Sequence, residues 1–250
     1  MPLHHLQMCF SASASFTAAA VLIPLGLYST HIARTNEALA AKDPDKRMRR
    51  GYVPLALVPM FFGIQQLFEG LVWTGIDYGQ AGAALQPLTT ISSVGFLFFA
   101  YCFWMLWIPW CAYSIARENE SRALAGRLQK VWWVASVLGV GFILPILFNP
   151  PTVQPALHGR LLYNLSELGL WHNFVNTEPL GELIYWAFIV LPLVVLSDKA
   201  VRLFGVLIFV SILLTWITYA ATFNSVWCFY CAVLSIMVIW IVNRQEMRHA

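Results

Sequence analysis

Residues 65–73 read Gln65-Gln66-Leu67-Phe68-Glu69-Gly70-Leu71-Val72-Trp73, and this stretch decides the fold. Two amides and a carboxylic acid lie here within an apolar run that extends from about residue 53 to residue 75. A charged side chain at the centre of a bilayer costs roughly 2.5–3.5 kcal/mol even on insertion scales, and it normally faces the protein interior. The stretch therefore predicts a membrane-spanning helix with a polar inner face.

The composition of the whole chain is that of a membrane protein. Of its 250 residues, 59% are hydrophobic and 11% are charged, whereas a soluble domain has roughly 25% charged residues. The mean hydropathy is +0.67. We expect an all-α, polytopic membrane protein in which residues 1–250 form a single transmembrane domain. The first ten residues lack the basic n-region of a secretory signal, and Met8 offers an alternative translation start.

Seven apolar segments each have about the 20 residues that one bilayer crossing requires. They run approximately over 10–31, 53–75, 92–115, 131–149, 180–197, 202–222 and 225–243. With seven spans, all of the 15 Lys and Arg residues except Arg160 fall on the same side of the membrane. The positive-inside rule then predicts a seven-helix bundle with the N-terminus out and the C-terminus in. The basic loops favour contact with anionic lipid and give no support for nucleic-acid binding.

One outer loop, about residues 150–179, is long enough for structure of its own. Leucines recur at near-helical spacing from Leu161 to Leu168, and Trp171 follows. This pattern predicts a short amphipathic helix on the outer surface. Such a helix is either a lid over a site or a connection that hides its apolar face.

Glu69 is the centre of the predicted site. It lies four to six residues from the outer end of its span, which places it roughly 6–9 Å deep. Gln65 and Gln66 precede it by four and three residues and share its side of the helix, and Trp73 follows four residues later.

Spans 1 and 7 begin at the same level with small polar and aromatic residues. We therefore predict an outward-facing polar pocket lined by spans 1, 2 and 7. Gly63 and Gly70, seven residues apart on span 2, would let another helix approach closely. The predicted ligand-binding residues are Glu69, Gln65, Gln66, Trp73, Ser11, Ser15, Asn224 and Trp227.

Three functions fit this pocket. The favoured one is binding of a small molecule or lipid, as a sensor, a carrier or a subunit of a membrane protein complex. The second is a membrane enzyme that uses Glu69 as general acid/base and Cys9 or Ser11 as nucleophile. The third is purely structural, with a neutral Glu69 hydrogen-bonded to spans 1 and 7. Since no nucleophile–base pair is visible, the sequence favours a protein that is not an enzyme.

The cysteines and histidines indicate no metal site and identify no cofactor. Cys9 and Cys228 both belong to outer helix ends, so a disulfide between them is an open alternative. Cys228 and Cys231 are more typical of packing residues than of a redox pair. All six histidines are expected in loops or at helix ends, which argues against intramembrane haem or a three-histidine zinc site.

Three motifs carry a resemblance to a known family. They are Met8-Cys9-Phe10-Ser11-Ala12-Ser13-Ala14-Ser15-Phe16, then Phe62-Gly63-Ile64-Gln65-Gln66 with Glu69-Gly70-x-x-Trp73, and Ser225-Val226-Trp227-Cys228-Phe229. In these the chain resembles an uncharacterised family of bacterial integral membrane proteins. The resemblance implies a shared architecture and location in a bacterial inner membrane, but no activity.

Overall fold

The fold is a bundle of helices with one small β-hairpin. The computed structural model describes residues 11–42, 50–79, 86–150, 152–156, 160–164, 180–219 and 222–244. Its helices are α1 (Ala12–Lys42), α2 (Val53–Ala56), α3 (Val58–Gly79), α4 (Gln86–Leu97), a π-helical segment (Phe98–Phe103), α5 (Trp104–Asn119), α6 (Arg122–Phe148), α7 (Leu180–Val194), α8 (Lys199–Tyr219), α9 (Phe223–Leu234) and α10 (Met237–Asn243). Its strands are β1 (Thr152–Ala156) and β2 (Arg160–Asn164).

Six helices in the described part of the chain are long and apolar enough to cross a membrane. They cover Ala12–Lys42, Val53–Ile76, Gln86–Asn119, Arg122–Phe148, Lys199–Tyr219 and Ser225–Asn243. The remaining apolar helix, Gly181–Val194, is shorter and corresponds to the predicted fifth span. The prediction of an all-α, multi-pass membrane protein is thus confirmed at this level.

Two helices extend well beyond the predicted apolar segments. Helix α1 continues to Lys42, so His31 lies within a helix and not at its end, and its side chain is exposed. Helix α6 begins at Arg122, where the Ser121 hydroxyl accepts a hydrogen bond from the Leu124 amide at 3.3 Å. Both extensions are polar or Ala-rich stretches of good helix formers, which continue a helix past the bilayer core.

The loop that follows α6 differs from the predicted amphipathic helix. Strands β1 and β2 form an antiparallel hairpin in which Val153 pairs with Tyr163. Leu161 and Tyr163 are 1% and 7% exposed, whereas Leu162 between them is 38% exposed, which is the two-residue alternation of a strand. The helical interpretation was therefore wrong over residues 161–164, and residues 165–179 lie outside the described part.

Strand contacts place the hairpin at one end of the bundle. Strand β1 packs on α4, and β2 packs on the start of the last span, α9. An isolated two-stranded hairpin is marginally stable in water. Burial of Leu161 and Tyr163 against the helices therefore holds the hairpin in place.

The opposite end of the bundle is joined by acidic side chains that accept from backbone amides. Glu37 Oε1, on α1, accepts from the Gly51 amide at 2.8 Å. Glu120 Oε1, in the turn after α5, accepts from the Ser197 amide at 2.7 Å. Asn119 Nδ2, at the end of α5, donates to the Arg50 carbonyl at 2.7 Å. The connections after α1, α5 and α7 therefore meet at one end, which we call the basic end. The described basic residues in or beside its connections are Arg34, Lys42, Arg50, Arg117, Arg122, Lys199, Arg202 and Arg244.

Helices α1 and α3 pack closely along their length. A Cβ atom added to Gly63 would lie 2.7 Å from Ile23 Cγ1, and one added to Gly70 would lie 2.7 Å from Phe16 Cε1. The close approach predicted at Gly63 and Gly70 is confirmed, and α1 is the approaching helix. Gly26 makes the reciprocal approach on α1.

Candidate functional site

Glu69 lies inside the bundle, 2% exposed, with both carboxyl oxygens hydrogen-bonded. Gln66 Nε2 donates to Glu69 Oε2 at 3.0 Å from one turn earlier on α3. The Ser225 hydroxyl, on α9, donates to Glu69 Oε1 in a short hydrogen bond. The carboxyl group therefore connects the second span to the last one, as expected for an acid that faces the bundle interior.

Gln65, the neighbour of Gln66, belongs to a second chain of hydrogen bonds. The Trp104 indole N–H, at the start of α5, donates to Gln65 Oε1 at 2.8 Å. Gln65 Nε2 in turn donates to the Cys228 sulfur at 3.2 Å. Because an indole N–H only donates, it determines which end of the Gln65 amide faces Cys228. The carbonyl oxygen and the NH₂ group of the Gln65 side chain are thus both hydrogen-bonded.

The π-helical segment explains how Trp104 reaches Gln65. A π-helical turn changes the direction of the residues that follow it, and such turns recur at functional sites. Trp104 is the first residue after this segment and stacks on Phe62 with ring centroids 3.9 Å apart. The Tyr185 hydroxyl, on α7, donates to the Ala100 carbonyl within the segment. The stack on Phe62 therefore holds the Trp104 indole, and the Tyr185 bond holds the segment that precedes it.

Three buried polar atoms, on the turns of α3 before and after Glu69 and on β2, lack a hydrogen-bond partner within the described residues. They are Gln66 Oε1, Trp73 Nε1 and the Tyr163 hydroxyl oxygen. Buried polar groups in proteins are nearly always paired, so each of these atoms is a candidate contact for a ligand. Other buried polar atoms without a described partner are dispersed over α1, α6 and α10, on Ser29, Asn36, Trp132 and Asn243.

Tyr163 enters the site from the hairpin. Its ring stacks on Phe96 of α4, with centroids 5.1 Å apart and planes 6° from parallel. Burial raises the pKa of the Tyr163 hydroxyl well above its usual range, and nearby Glu69 and Cys228 raise it further. The phenol therefore stays protonated at physiological pH and is available as a hydrogen-bond donor beside Glu69.

The structure brings some of the predicted residues together and separates others. Ser15 is buried on α1, but the described side-chain hydrogen bonds to Glu69 come from Gln66 and Ser225. Ser11 caps its own helix by accepting from the Ala14 amide at 3.2 Å. Ser11 therefore serves α1, and the enzyme alternative stays a prediction.

Residues predicted on span 7 also differ in their placement. The Trp227 indole N–H donates to the Ser211 hydroxyl of α8 at 3.2 Å, so this side chain serves another contact. The side chain of Asn224 and all of Cys9 lie outside the described part. Cys228 is a free cysteine in the structure, and the disulfide to Cys9 stays a prediction.

The sequence pattern did not identify Trp104 and Tyr163 as members of the site, and Ser225 was named only within the motif Ser225-Val226-Trp227-Cys228-Phe229. Trp104 is one of 11 tryptophans, and only its position after an irregular helical turn distinguishes it. Tyr163 lay in the loop that was predicted to be helical. Ser225 could have been predicted as a partner of Glu69, because it is a small hydroxyl residue at the start of span 7, at the predicted depth of Glu69.

A cavity of about 20 Å³ lies beside Trp104, between α3, α5, α7, α8 and α9. Its walls are aromatic and aliphatic apart from the thiols of Cys228 and Cys231. A space of this size suits at most a water molecule, and this lining offers few polar partners. Among the described residues, no group of three or more His, Cys, Asp or Glu side chains is arranged to hold a metal ion.

The comparison with protein families gives one match, which covers residues 8–250. The matching profile is described as "Family of unknown function (DUF6629)". The chain belongs to this family. The resemblance to an uncharacterised family is thereby confirmed, and the family brings no activity to the site. No curated protein and no solved structure matches the chain.

Proposed function

We propose that this member of the DUF6629 family is a seven-span protein of a bacterial inner membrane that binds a small molecule at Glu69. The N-terminus is outside and the C-terminus inside. The binding site lies in the outer half of the bundle, and membrane lipids surround the exposed apolar side chains. The site acts as the sensing or carrying element of this protein or of a complex that contains it.

The meeting of the connections at the basic end supports this topology. Hydrogen bonds of Asn119 with Arg50 and of Glu120 with Ser197 join three connections that a seven-span count puts on one side. Basic residues are concentrated in these connections, and the positive-inside rule makes their side cytoplasmic. The hairpin and Tyr163 are then at the outer side.

The shorter helix α7 also fits a seventh crossing. Its 15 residues, Leu180–Val194, extend about 22 Å at 1.5 Å per residue, compared with about 30 Å for a bilayer core. Ser197, three residues later, reaches Glu120 at the basic end. Modest local thinning of the bilayer accommodates such a difference.

The observation that carries ligand binding is the set of three unpaired atoms on Gln66, Trp73 and Tyr163. Each buried polar group without a partner costs about 1–3 kcal/mol. A site used only to hold helices together has no reason to contain three of them beside an acid. A ligand that pairs with these atoms would recover this free energy.

A structural role for Glu69 is the second candidate, because both its oxygens are already bonded within the protein. The substitution Glu69→Gln separates the two functions. A glutamine at this position still accepts from Ser225, and the Gln66 amide can turn so that its oxygen accepts from the new NH₂ group. We expect Glu69→Gln to fold and to lose its response to ligand. Failure of this variant to assemble would favour the structural role.

The test uses purified protein and a low-molecular-weight extract of the source cells. The wild-type unfolding midpoint in detergent should rise when the extract is added. Trp73→Phe should keep a basal midpoint close to wild type, because it removes an unpaired N–H, and should lose the rise.

Trp227→Phe is the matched control. This variant removes an indole N–H that is paired with Ser211. Its basal midpoint should fall, while the rise with extract is retained. A wild type that does not respond, or equal responses from Trp73→Phe and Trp227→Phe, would refute binding at this site.

A further inference from the structure

Two cysteines of α9 contribute to the wall of one small cavity. Cys228 and Cys231 both line the space of about 20 Å³ beside Trp104. Both are buried, 2% and 5% exposed, and both are free thiols. The sequence pattern favoured packing for this pair because it showed no space beside the thiols. The cavity adds that space, and its size admits one particle no larger than a water molecule.

The spacing of the two thiols suits a bridging atom better than a disulfide. Residues three apart on a helix have Cβ atoms about 5–6 Å apart, and Cys228 and Cys231 both lie within α9. A disulfide requires about 3.5–4.5 Å between the Cβ atoms. An atom in the shared cavity can therefore contact both sulfurs, although the sulfurs do not bond to each other.

Cys228 also accepts a hydrogen bond from a fixed donor. Gln65 Nε2 donates to the Cys228 sulfur at 3.2 Å, and the Trp104 indole N–H holds the carbonyl end of the same amide. A hydrogen bond of this kind favours the thiolate, which is the form of cysteine that binds metals. A thiolate alone would be costly here, because the rest of the wall is aromatic and aliphatic. A cation between the two sulfurs offsets that cost.

The composition of the wall narrows the kind of cation. Ca²⁺ and Mg²⁺ take oxygen ligands, and the lining residues carry no side-chain oxygen. A structural zinc ion takes four protein ligands, and an iron–sulfur cluster takes four cysteines. The lining supplies two sulfurs, and the described residues contain no larger group of metal-binding side chains. Of the ions that soft thiolates select, copper(I) is the one that these constraints leave.

We propose that Cys228 and Cys231 bind a single copper(I) ion in this cavity. Both S–H bonds break and release their protons to solvent, and two copper–sulfur bonds form with no change in oxidation state. Two thiolates and one monovalent cation leave one negative charge, toward which Gln65 Nε2 donates its hydrogen bond. This site is separate from Glu69 and does not depend on the function proposed there.

The experiment titrates the reduced full-length protein with copper(I) in detergent, without oxygen and in competition with a chromophoric copper(I) chelator. Wild type should withdraw one copper(I) ion per chain, and added zinc(II) should not displace it. Cys228→Ala and Cys231→Ala should each raise the dissociation constant more than about 100-fold. Loss of a residue that only bonds to a metal ligand already costs about 10–100-fold, and these variants remove a ligand itself.

The other cysteines provide matched controls. Cys102→Ala and Cys111→Ala each remove a buried free thiol that does not line the cavity. These variants and Cys9→Ala should keep one copper(I) ion and the wild-type dissociation constant. Gln65→Leu should keep the stoichiometry but raise the dissociation constant about 10–100-fold. Leucine is used at this position because methionine would add a sulfur ligand.

A second measurement needs no variant. X-ray absorption at the copper edge of the loaded wild type should show two sulfur ligands and no nitrogen or oxygen ligand. A different ligand set overturns the proposal, even if the alanine variants fail to fold. Wild type that takes up no copper(I), or Cys231→Ala that binds as wild type does, also overturns it. Loss of binding in any of the three control variants assigns the ion to another place and overturns it, and displacement by zinc(II) overturns the choice of copper(I).

Discussion

Gln65 and Gln66 are adjacent, fully buried and chemically identical, yet they should respond oppositely to the same substitution. We consider Gln65→Met and Gln66→Met, because methionine has a similar unbranched shape without polar hydrogen-bonding groups. Gln65 holds the Trp104 indole N–H and bonds to Cys228. Gln66 makes one bond, to Glu69, and leaves its carbonyl oxygen unpaired.

The structure gives the size of each effect. Gln65→Met leaves the Trp104 N–H buried without a partner, at a cost of about 1–3 kcal/mol. It also removes the bond to Cys228, and a side-chain bond inside a membrane bundle contributes on average about 0.6 kcal/mol. The unfolding free energy should therefore fall by roughly 1.5–3.5 kcal/mol. Gln66→Met leaves Glu69 Oε2 without its donor but also removes an unpaired carbonyl, so the two effects offset and its unfolding free energy should change little.

The measurement is reversible unfolding in mixed micelles by titration with SDS, followed by circular dichroism. Trp104→Phe added to Gln65→Met should recover part of the loss, because the unpaired N–H is then absent. The reasoning is refuted if Gln66→Met costs as much as Gln65→Met. It is also refuted if Gln65→Met is neutral.

Two glycine substitutions test the packing that positions the site. Gly51→Ala should lower the unfolding free energy by about 1–3 kcal/mol, because Gly51 has φ +87° and a Cβ there would lie 2.3 Å from the Ser114 carbonyl oxygen. Gly26→Ala should lower the unfolding midpoint in detergent, because its Cβ would lie 2.3 Å from the Met60 backbone nitrogen. Gly141→Ala is the control, because nothing lies within 4 Å of the new Cβ, and it should be neutral or slightly stabilising. Equal losses from Gly26→Ala and Gly141→Ala would contradict the close contact between α1 and α3.

The helical fold was predictable because each span is a local signal. A run of about 20 apolar residues must form a helix in lipid, whatever the rest of the chain does. The depth of Glu69 and the helical spacing of Gln65 and Gln66 followed from the same local geometry. The presence of a small hydroxyl from span 7 at that depth was also within reach, and Ser225 supplies it.

The contacts that complete the site were not predictable, since they join residues far apart in the chain. The bond between Trp104 and Gln65 depends on a π-helical turn, which has no periodicity to read in the sequence. Leu161 and Leu162 fit both a helical and a strand pattern over so short a stretch, and Tyr163 was therefore placed on the wrong kind of element. Short apolar runs carry this ambiguity inherently.

The difference between the two glutamines also shows how the site can respond to a proton. The Trp104 N–H can only donate, so the Gln65 amide has one orientation. Gln66 faces a carboxyl group, which accepts when ionised and also donates when protonated.

The protonation state of Glu69 determines which group of Gln66 is left unpaired. With an ionised Glu69, the unpaired group of Gln66 is its oxygen. With a protonated Glu69, the Gln66 amide can turn, and the unpaired group becomes its NH₂. A ligand with donors only or acceptors only matches one of these two states. The same acid that connects α3 to α9 therefore decides which groups the site offers to a ligand.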